Sequence, residues 1–97
     1  FARAGVEVTL VCRSRLLPEA EPEIGTALTG YFMDESIAVI SGITYRTIRK
    51  TADGVALTVH RDGKDVTIDA DQVLVATGRA PNIEGLGLAE HGIALSP

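Results

Sequence analysis

Two short segments of the 97-residue chain combine residue types that suit an anionic ligand. They are Arg13, Ser14 and Arg15 in the first, and Thr77, Gly78 and Arg79 in the second. An arginine offers a planar fork of donors that matches phosphate oxygens, and a glycine lets the backbone approach a ligand closely. We therefore take both segments as candidate binding loops and consider next which elements would position them.

The first loop follows a predicted parallel strand over residues 6–12, which is rich in β-branched residues and apolar on both faces toward its end. Ligands of open parallel sheets collect beyond the carboxyl ends of the strands. In a dinucleotide-binding unit, an acidic residue at the end of the second strand accepts hydrogen bonds from the ribose hydroxyls. Here uncharged Cys12 ends the strand and Arg13 follows, which predicts recognition of a 2′-phosphate and hence NADPH over NADH. Basic residues after a strand are also typical of ordinary solvated surface, and the tripeptide alone leaves both interpretations open.

The second loop follows the apolar run of residues 73–76, which predicts a buried strand that delivers the loop to a sheet edge. Gly78 permits close backbone approach, Arg79 can meet phosphate, and Pro81 fixes the direction of the following chain. A Gly-Pro turn that merely leaves a core strand is the alternative.

Between the two loops, the sequence predicts a helix that begins with Pro22 at its first position. Residues at spacings of three and four give it one mostly apolar face: Ile24, Ala27, Leu28, Tyr31, Phe32 and Glu35. Residues 37–40 then predict a short buried strand.

Three extended segments follow, at residues 43–50, 55–60 and 65–69. The Asp-Gly pairs at 53–54 and 62–63 separate them and are suited to tight hairpins. The sequence therefore predicts an antiparallel meander, with Val55, Leu57 and Val59 on the buried face of its middle strand and Ala56, Thr58 and His60 on the wetter one.

Taken together, these elements predict an α/β fold: a partial Rossmann-like dinucleotide-binding domain with a parallel sheet, a helix and an inserted three-stranded antiparallel meander. We expect residues 1–97 to be truncated at both ends, because Gly5 closes what reads as the last turn of a helix and the chain stops at Ser96-Pro97 after an apolar stretch.

Composition narrows the function classes. A net charge of −4 and four aromatic residues argue against a nucleic-acid partner, and no apolar run approaches the length of a membrane span. The lone Cys12 cannot form an intrachain disulfide, so we expect a cytoplasmic protein. The same cysteine, at the end of an apolar strand, is expected to be a small core residue without a redox role.

Residues 74–82 read Leu-Val-Ala-Thr-Gly-Arg-Ala-Pro-Asn, which resembles the ATGRxPN signature of the pyridine nucleotide-disulfide oxidoreductases. The order of elements before that signature also resembles the pyridine-nucleotide domain of the family, so the resemblance covers the whole chain. It implies a flavoenzyme that uses FAD and a pyridine nucleotide. Arg13 is then the best candidate for the 2′-phosphate contact, with Ser14 and Arg15 as weaker ones, and Thr77, Gly78 and Arg79 would lie near the nicotinamide half of NADPH.

Within the family, residues 8–14, 21–25 and 86–93 most resemble the mercuric reductase subfamily. This resemblance implies reduction of Hg(II) to elemental mercury by a parent enzyme that is a homodimer. Glutathione reductase remains an alternative because it shares the basic loop, whereas dihydrolipoyl dehydrogenase would be expected to have an acidic residue in place of Cys12.

By the same resemblance, the glycine-rich phosphate loop, the redox-active cysteine pair and the main FAD-binding segments lie outside these 97 residues. No residue is therefore assigned a catalytic or metal-binding role, and the chain alone is expected to be inactive. A nucleotide-binding or purely structural module without turnover is the hypothesis from another class.

Overall fold

The computed structural model describes residues 1–94. Ser96 and Pro97, on which the expected truncation at the carboxyl end depends, lie outside that range. The elements in chain order are a 3₁₀ turn (Ala2–Ala4), β1 (Thr9–Val11), α1 (Pro22–Asp34), β2 (Ala38–Ile40), β3 (Thr44–Lys50), β4 (Val55–Arg61) and β5 (Lys64–Ala70). β1 and β2 pair in parallel, and β3, β4 and β5 form an antiparallel sheet in that order. The predicted α/β class, with its parallel pair, helix and meander, is confirmed.

The amino end is a single 3₁₀ turn closed by Gly5, whose φ of 87° lies in the left-handed region and whose N–H donates to the carbonyl of Ala2. Arg3 ties this turn to the end of α1. Its Nε and Nη2 donate to the two carboxylate oxygens of Glu35 at 2.9 and 2.5 Å, a bidentate ion pair on the surface.

The parallel sheet is shorter than the predicted strand over residues 6–12. β1 and its partner β2 have three residues each, in the register Thr9↔Ala38 to Val11↔Ile40. Hydrogen bonds nevertheless continue past both ends of the ladder: the N–H of Ala38 donates to the carbonyl of Val8 at 3.0 Å, and the N–H of Cys12 donates to that of Ile40 at 2.9 Å.

The helix begins at Pro22 as predicted and ends one residue before Glu35. Its contact face is narrower than its apolar face: Gly25 is buried and Leu28 and Phe32 are half-buried, whereas Ile24 and Tyr31 are exposed. Thr29 is half-buried as well, so the contact stripe runs through positions 25, 28, 29 and 32 at helical spacing, and Ile24 and Tyr31 lie beside it and face outward.

The meander agrees with prediction in its three strands, and its turns differ from each other. Asp62 and Gly63 have φ values of 50° and 77°, the two positive angles of a type I′ turn, and Arg61 pairs with Lys64 across it. Residues 51–54 instead form a wider loop closed by the N–H of Thr51 on the carbonyl of Gly54. Gly54 is required there for close approach, because a Cβ would lie 2.3 Å from the carbonyl oxygen of Ala70.

The predicted face assignment on β4 is right for Val59, which is completely buried, and wrong for Ala56, which is only 3% exposed. The register places Ala56 between Arg49 and Asp69, and a methyl group between two longer side chains is easily covered. The core comprises Leu16, Ile43, Ala56 and Val59. The hydroxyl of Tyr45 donates to the carbonyl of Val11 at 3.2 Å and so links the meander to the parallel sheet.

The predicted buried strand over residues 73–76 is wrong for this structure. These residues have no strand pairing, and Leu74 and Val75 are 78% and 70% exposed. An extended segment becomes a strand only when a neighbour accepts and donates its backbone hydrogen bonds. Within residues 1–94, β1 and β2 pair only with each other, so no strand edge is hydrogen-bonded to residues 73–76. No helix in this range has the length and apolar character needed to cross a bilayer.

Candidate functional site

The backbone of the loop after β1 is held by the chain that leaves β2. The N–H of Ile43 donates to the carbonyl of Arg13, and the N–H of Gly42 donates to that of Ser14, both at 3.0 Å. Ile43 is itself a core residue, only 5% exposed, so these bonds anchor the loop to the interior. The direction in which residues 13 and 14 leave the sheet is thereby fixed.

Arg13 combines this fixed backbone with an accessible side chain. The residue is exposed, and its guanidinium makes no hydrogen bond or ion pair with any other residue in the described range. Ser14 beside it is exposed as well. A fork of donors at the carboxyl end of a parallel strand is therefore available to a phosphate or carboxylate.

Arg15 is in a different situation, because its guanidinium is bonded to its own loop. Nη2 donates to the carbonyls of Pro18 and Ala20, both at 2.8 Å, and Nη1 lies 3.4 Å from the carbonyl oxygen of Leu17. The residue is also half-buried. The two arginines of the tripeptide thus differ in how much of their donor capacity is left for a ligand.

Cys12 keeps the end of the strand electrically neutral. The thiol is half-buried, and desolvation raises its pKa above the ordinary value, which keeps it protonated at neutral pH. Position 12 therefore places neither a carboxylate nor a thiolate beside the Arg13 loop, and no fixed negative charge at that position opposes the approach of a phosphate.

The second predicted loop is open to solvent. Thr77, Gly78 and Arg79 are all exposed, and Gly78 has a φ of 152°, a conformation that favours glycine. Among the described residues, no hydrogen bond or ion pair joins this loop to the loop after β1. The structure therefore holds the backbone of residues 13–15 through Gly42, Ile43 and the Arg15 guanidinium, and none of these bonds includes Thr77, Gly78 or Arg79.

Sequence reasoning missed the residues that support the first loop. Gly42 and Ile43 act through backbone N–H groups, which leave no trace in side-chain type. Gly25 is the contact between α1 and the loop, since a Cβ there would lie 2.6 Å from the carbonyl oxygen of Leu16. A glycine inside a helix is unfavourable by roughly 1 kcal/mol relative to alanine, and that conflict was the available signal for a packing role.

Two shallow concavities lie elsewhere, at the wide end of the meander, between residues 51–55 and the chain leaving β5. None of the six predicted site residues lines either of them. The candidate site is thus an exposed loop at a strand end rather than an enclosed pocket.

Comparison with known proteins gives a consistent result. The family model described as pyridine nucleotide-disulphide oxidoreductase matches residues 1–97. A mercuric reductase of Staphylococcus aureus is 38% identical over 94 residues, which cover 96% of this chain and 17% of that protein. A dihydrolipoyl dehydrogenase of Bacillus subtilis (strain 168) is 36% identical over 92 residues, which cover 92% of this chain and 19% of that protein. The chain spans less than a fifth of the length of either relative.

Solved structures show the same fold. LpdA from Mycobacterium tuberculosis has a TM-score of 0.78 and 28% identity, over 99% of this chain and 20% of that one. An engineered water-forming NADPH oxidase bound to NADPH has a TM-score of 0.81 and 19% identity, over 99% of this chain and 20% of that one.

Proposed function

The chain belongs to the pyridine nucleotide-disulphide oxidoreductase family, and we propose that residues 1–97 are part of its NADPH-binding domain in an enzyme of the mercuric reductase type. The observation that carries the proposal is the exposed guanidinium of Arg13 on a backbone anchored by Ile43. In this proposal Arg13 binds the 2′-phosphate, and the hydroxyl of Ser14 assists it.

The chemistry of the strand end supports NADPH over NADH. A carboxylate that accepts from both ribose hydroxyls would repel a 2′-phosphate, and position 12 holds a protonated thiol instead. Charge-assisted hydrogen bonds from a guanidinium to a phosphate are about twice as strong as neutral ones. The tripeptide therefore offers attraction to the phosphorylated ribose and lacks the acidic group that the unphosphorylated ribose uses.

A parallel comes from the engineered NADPH oxidase that shares this fold. In that protein three successive replacements exchange an aspartate for alanine, an alanine for arginine and a methionine for serine, and the protein is bound to NADPH. Cys12-Arg13-Ser14 presents the same succession of an uncharged residue, an arginine and a serine. At 19% identity the shared feature is the fold, so the parallel rests on the chemistry of the tripeptides and not on an alignment.

For the second loop, we propose that Thr77, Gly78 and Arg79 lie near the nicotinamide half of NADPH in the longer protein. Support comes from the signature they belong to and from Gly78, which has no side chain to obstruct a ligand and adopts a backbone conformation that favours glycine. When bound, NADPH supplies a hydride; the residues of this chain hold and orient the nucleotide.

For the longer protein, we propose an FAD-dependent homodimer in the cytoplasm that reduces Hg(II) to elemental mercury. Mercuric reductases among the relatives support the substrate. The uncharged Cys12 counts against dihydrolipoyl dehydrogenase, which would be expected to have an acidic residue at this position. A related enzyme that reduces a disulfide or oxidises dihydrolipoamide is the second candidate, favoured by the dihydrolipoyl dehydrogenase relatives. NADPH oxidation by the longer protein that depends on Hg(II), and not on lipoamide or glutathione disulfide, would distinguish the two.

The nucleotide proposal is tested by titrating the chain with NADPH and NADH under identical conditions. We expect binding of NADPH at least about tenfold tighter, the ratio that one additional charge-assisted phosphate contact supplies. Equal affinity would refute recognition of the 2′-phosphate. No binding of either nucleotide at millimolar concentration would favour the structural module without a nucleotide site.

A further inference from the structure

In the segment between β1 and α1, the guanidinium of Arg15 is surrounded by backbone carbonyls. Three carbonyls of this segment, from Leu17, Pro18 and Ala20, accept hydrogen bonds from it. The N–H of Ala20 also donates to the carbonyl of Leu17 at 2.9 Å, which closes the turn.

This turn holds Leu17 in an unfavourable backbone conformation. Its φ of 48° lies in the left-handed region, which is unfavourable for a residue with a side chain. Hydrogen bonds to a charged donor are among the strongest available to a carbonyl and can offset such a cost. The shape of the turn therefore depends on the fork of Arg15.

The helix side of the same structure is closed by Gly25. A Cβ at this position would lie 2.6 Å from the carbonyl oxygen of Leu16 and 3.4 Å from Nη1 of Arg15. Only a glycine at position 25 allows α1 to pack against the turn without displacing the backbone of residue 16. Arg15 and Gly25 thus form one unit, which we call the loop–helix lock.

The lock acts on the candidate ligand residue through the backbone. Ser14 separates Arg13 from Arg15, and the carbonyls of Arg13 and Ser14 are already held by Ile43 and Gly42. The main chain of residues 13–15 is therefore fixed from both sides, by the exit of β2 on one and by the lock on the other. A phosphate bound by the two Nη atoms of Arg15 would have to displace the carbonyls to which these atoms now donate.

Resting on the proposed function above, we infer that Arg15 is a positioning residue: together with Gly25 it sets the backbone that presents Arg13 to a 2′-phosphate, and it is not itself a phosphate ligand. Arg15, a weaker candidate for the phosphate contact than Arg13 on the sequence alone, thereby receives a different role from Arg13.

The test uses Arg15→Lys, Arg15→Gln and Gly25→Ala, with 2′,5′-ADP as the probe of the 2′-phosphate site. A positioning role predicts that all three variants bind 2′,5′-ADP more weakly, each by about three- to tenfold, because lysine keeps the charge but carries its donors on a single nitrogen and does not reproduce the planar fork that reaches the three carbonyls. Gly30→Ala is the matched control, since a Cβ at Gly30 in the same helix meets no atom within 4 Å; its affinity should equal that of the unchanged chain.

Two results would overturn the inference. Near-normal binding by Arg15→Lys, with loss in Arg15→Gln, would make Arg15 a charge that contacts the phosphate. Unchanged binding by Gly25→Ala would show that the lock does not control the site. A smaller dependence of affinity on ionic strength in Arg15→Gln, without such a change in Gly25→Ala, would also indicate a direct phosphate contact.

A measurement made without nucleotide distinguishes failure of this inference from failure of the proposed function. Hydrogen exchange of the Ala20 amide, measured in the nucleotide-free chain, should be about tenfold faster in Arg15→Gln and Gly25→Ala than in Gly30→Ala. If that difference appears but the unchanged chain does not prefer 2′,5′-ADP over 5′-AMP, the lock stands and the proposed function fails. If exchange is the same in all variants, the lock itself is refuted.

Discussion

The two candidate loops each combine an arginine with a hydroxyl residue, but the contacts that hold their backbones differ. The loop after β1 has its main chain bonded to Gly42 and Ile43 and a guanidinium at its centre. Residues 73–82 have no strand partner, and their apolar members Leu74 and Val75 are exposed. The segment with the stronger sequence signature is thus the one with less support from the described residues.

The difference shows that a recognisable sequence motif does not by itself hold its backbone in place, because the hydrogen-bond partners come from other segments of the chain. The loop after β1 obtains its partners from β2 and α1, both within the next 30 residues. The second loop makes no backbone hydrogen bond with any other part of residues 1–94. Local pairing explains why only one of the loops is organised here.

Hydrogen exchange would show this contrast most directly. Amides of residues 12, 42 and 43 donate to backbone carbonyls and should exchange at least about 100-fold more slowly than those of residues 73–80, which have no such acceptor among residues 1–94. Nuclear magnetic resonance of the chain in deuterated buffer provides the rates. Strong protection at residues 73–76 would mean that this segment pairs in solution, and the comparison would be wrong.

Core substitutions in the two regions should differ in cost. Ile43→Ala removes a side chain that is 5% exposed and should lower the free energy of unfolding by about 2 to 4 kcal/mol. Leu74→Ala removes one that is 78% exposed and should change it by no more than about 0.5 kcal/mol. Urea denaturation followed by circular dichroism measures both, and a comparable loss from Leu74→Ala would show that its side chain is buried in solution.

The two glycines of α1 give a finer comparison. Gly30→Ala should stabilise the chain by roughly 1 kcal/mol, the difference in helix propensity, because the added methyl group meets no atom within 4 Å. Gly25→Ala should destabilise it despite the same propensity gain, since the methyl group would lie 2.6 Å from a backbone oxygen. Thermal unfolding of both variants gives the sign of each change in stability, and stabilisation by Gly25→Ala would show that the close contact is absent in solution.

The smallest effect is expected from the ion pair at the amino end. The guanidinium of Arg3 lowers the pKa of Glu35 through a hydrogen bond and through its charge. The resulting stabilisation is complete above the ordinary carboxyl pKa and is lost as the pH falls through the lowered one. Stability of Glu35→Gln should therefore fall less steeply in acid than that of the unchanged chain. Identical pH profiles would show that this surface pair contributes nothing.

Much of the fold follows from local patterns in the sequence. The type I′ turn at Asp62-Gly63 and the helix start at Pro22 are predictable because the determining residues lie within the element. The exposure of residues 73–76 was not predictable, since an apolar run looks the same whether or not a partner strand is present.

For the candidate site, the residue types of Arg13 and Cys12 could be read from the sequence, and their accessibility and charge could not. The division between Arg13 and Arg15 depends on the carbonyls that surround each guanidinium, and backbone carbonyls are common to every residue.

The central claim is that Arg13 selects the 2′-phosphate, and the ratio of NADPH to NADH affinity in Arg13→Glu tests it most directly. Arg79→Glu is the matched control, because it makes the same change in charge in the other loop. We predict that Arg13→Glu abolishes the preference for NADPH and that Arg79→Glu retains it. A preference that survives in Arg13→Glu, or that disappears equally in both variants, would contradict the assignment.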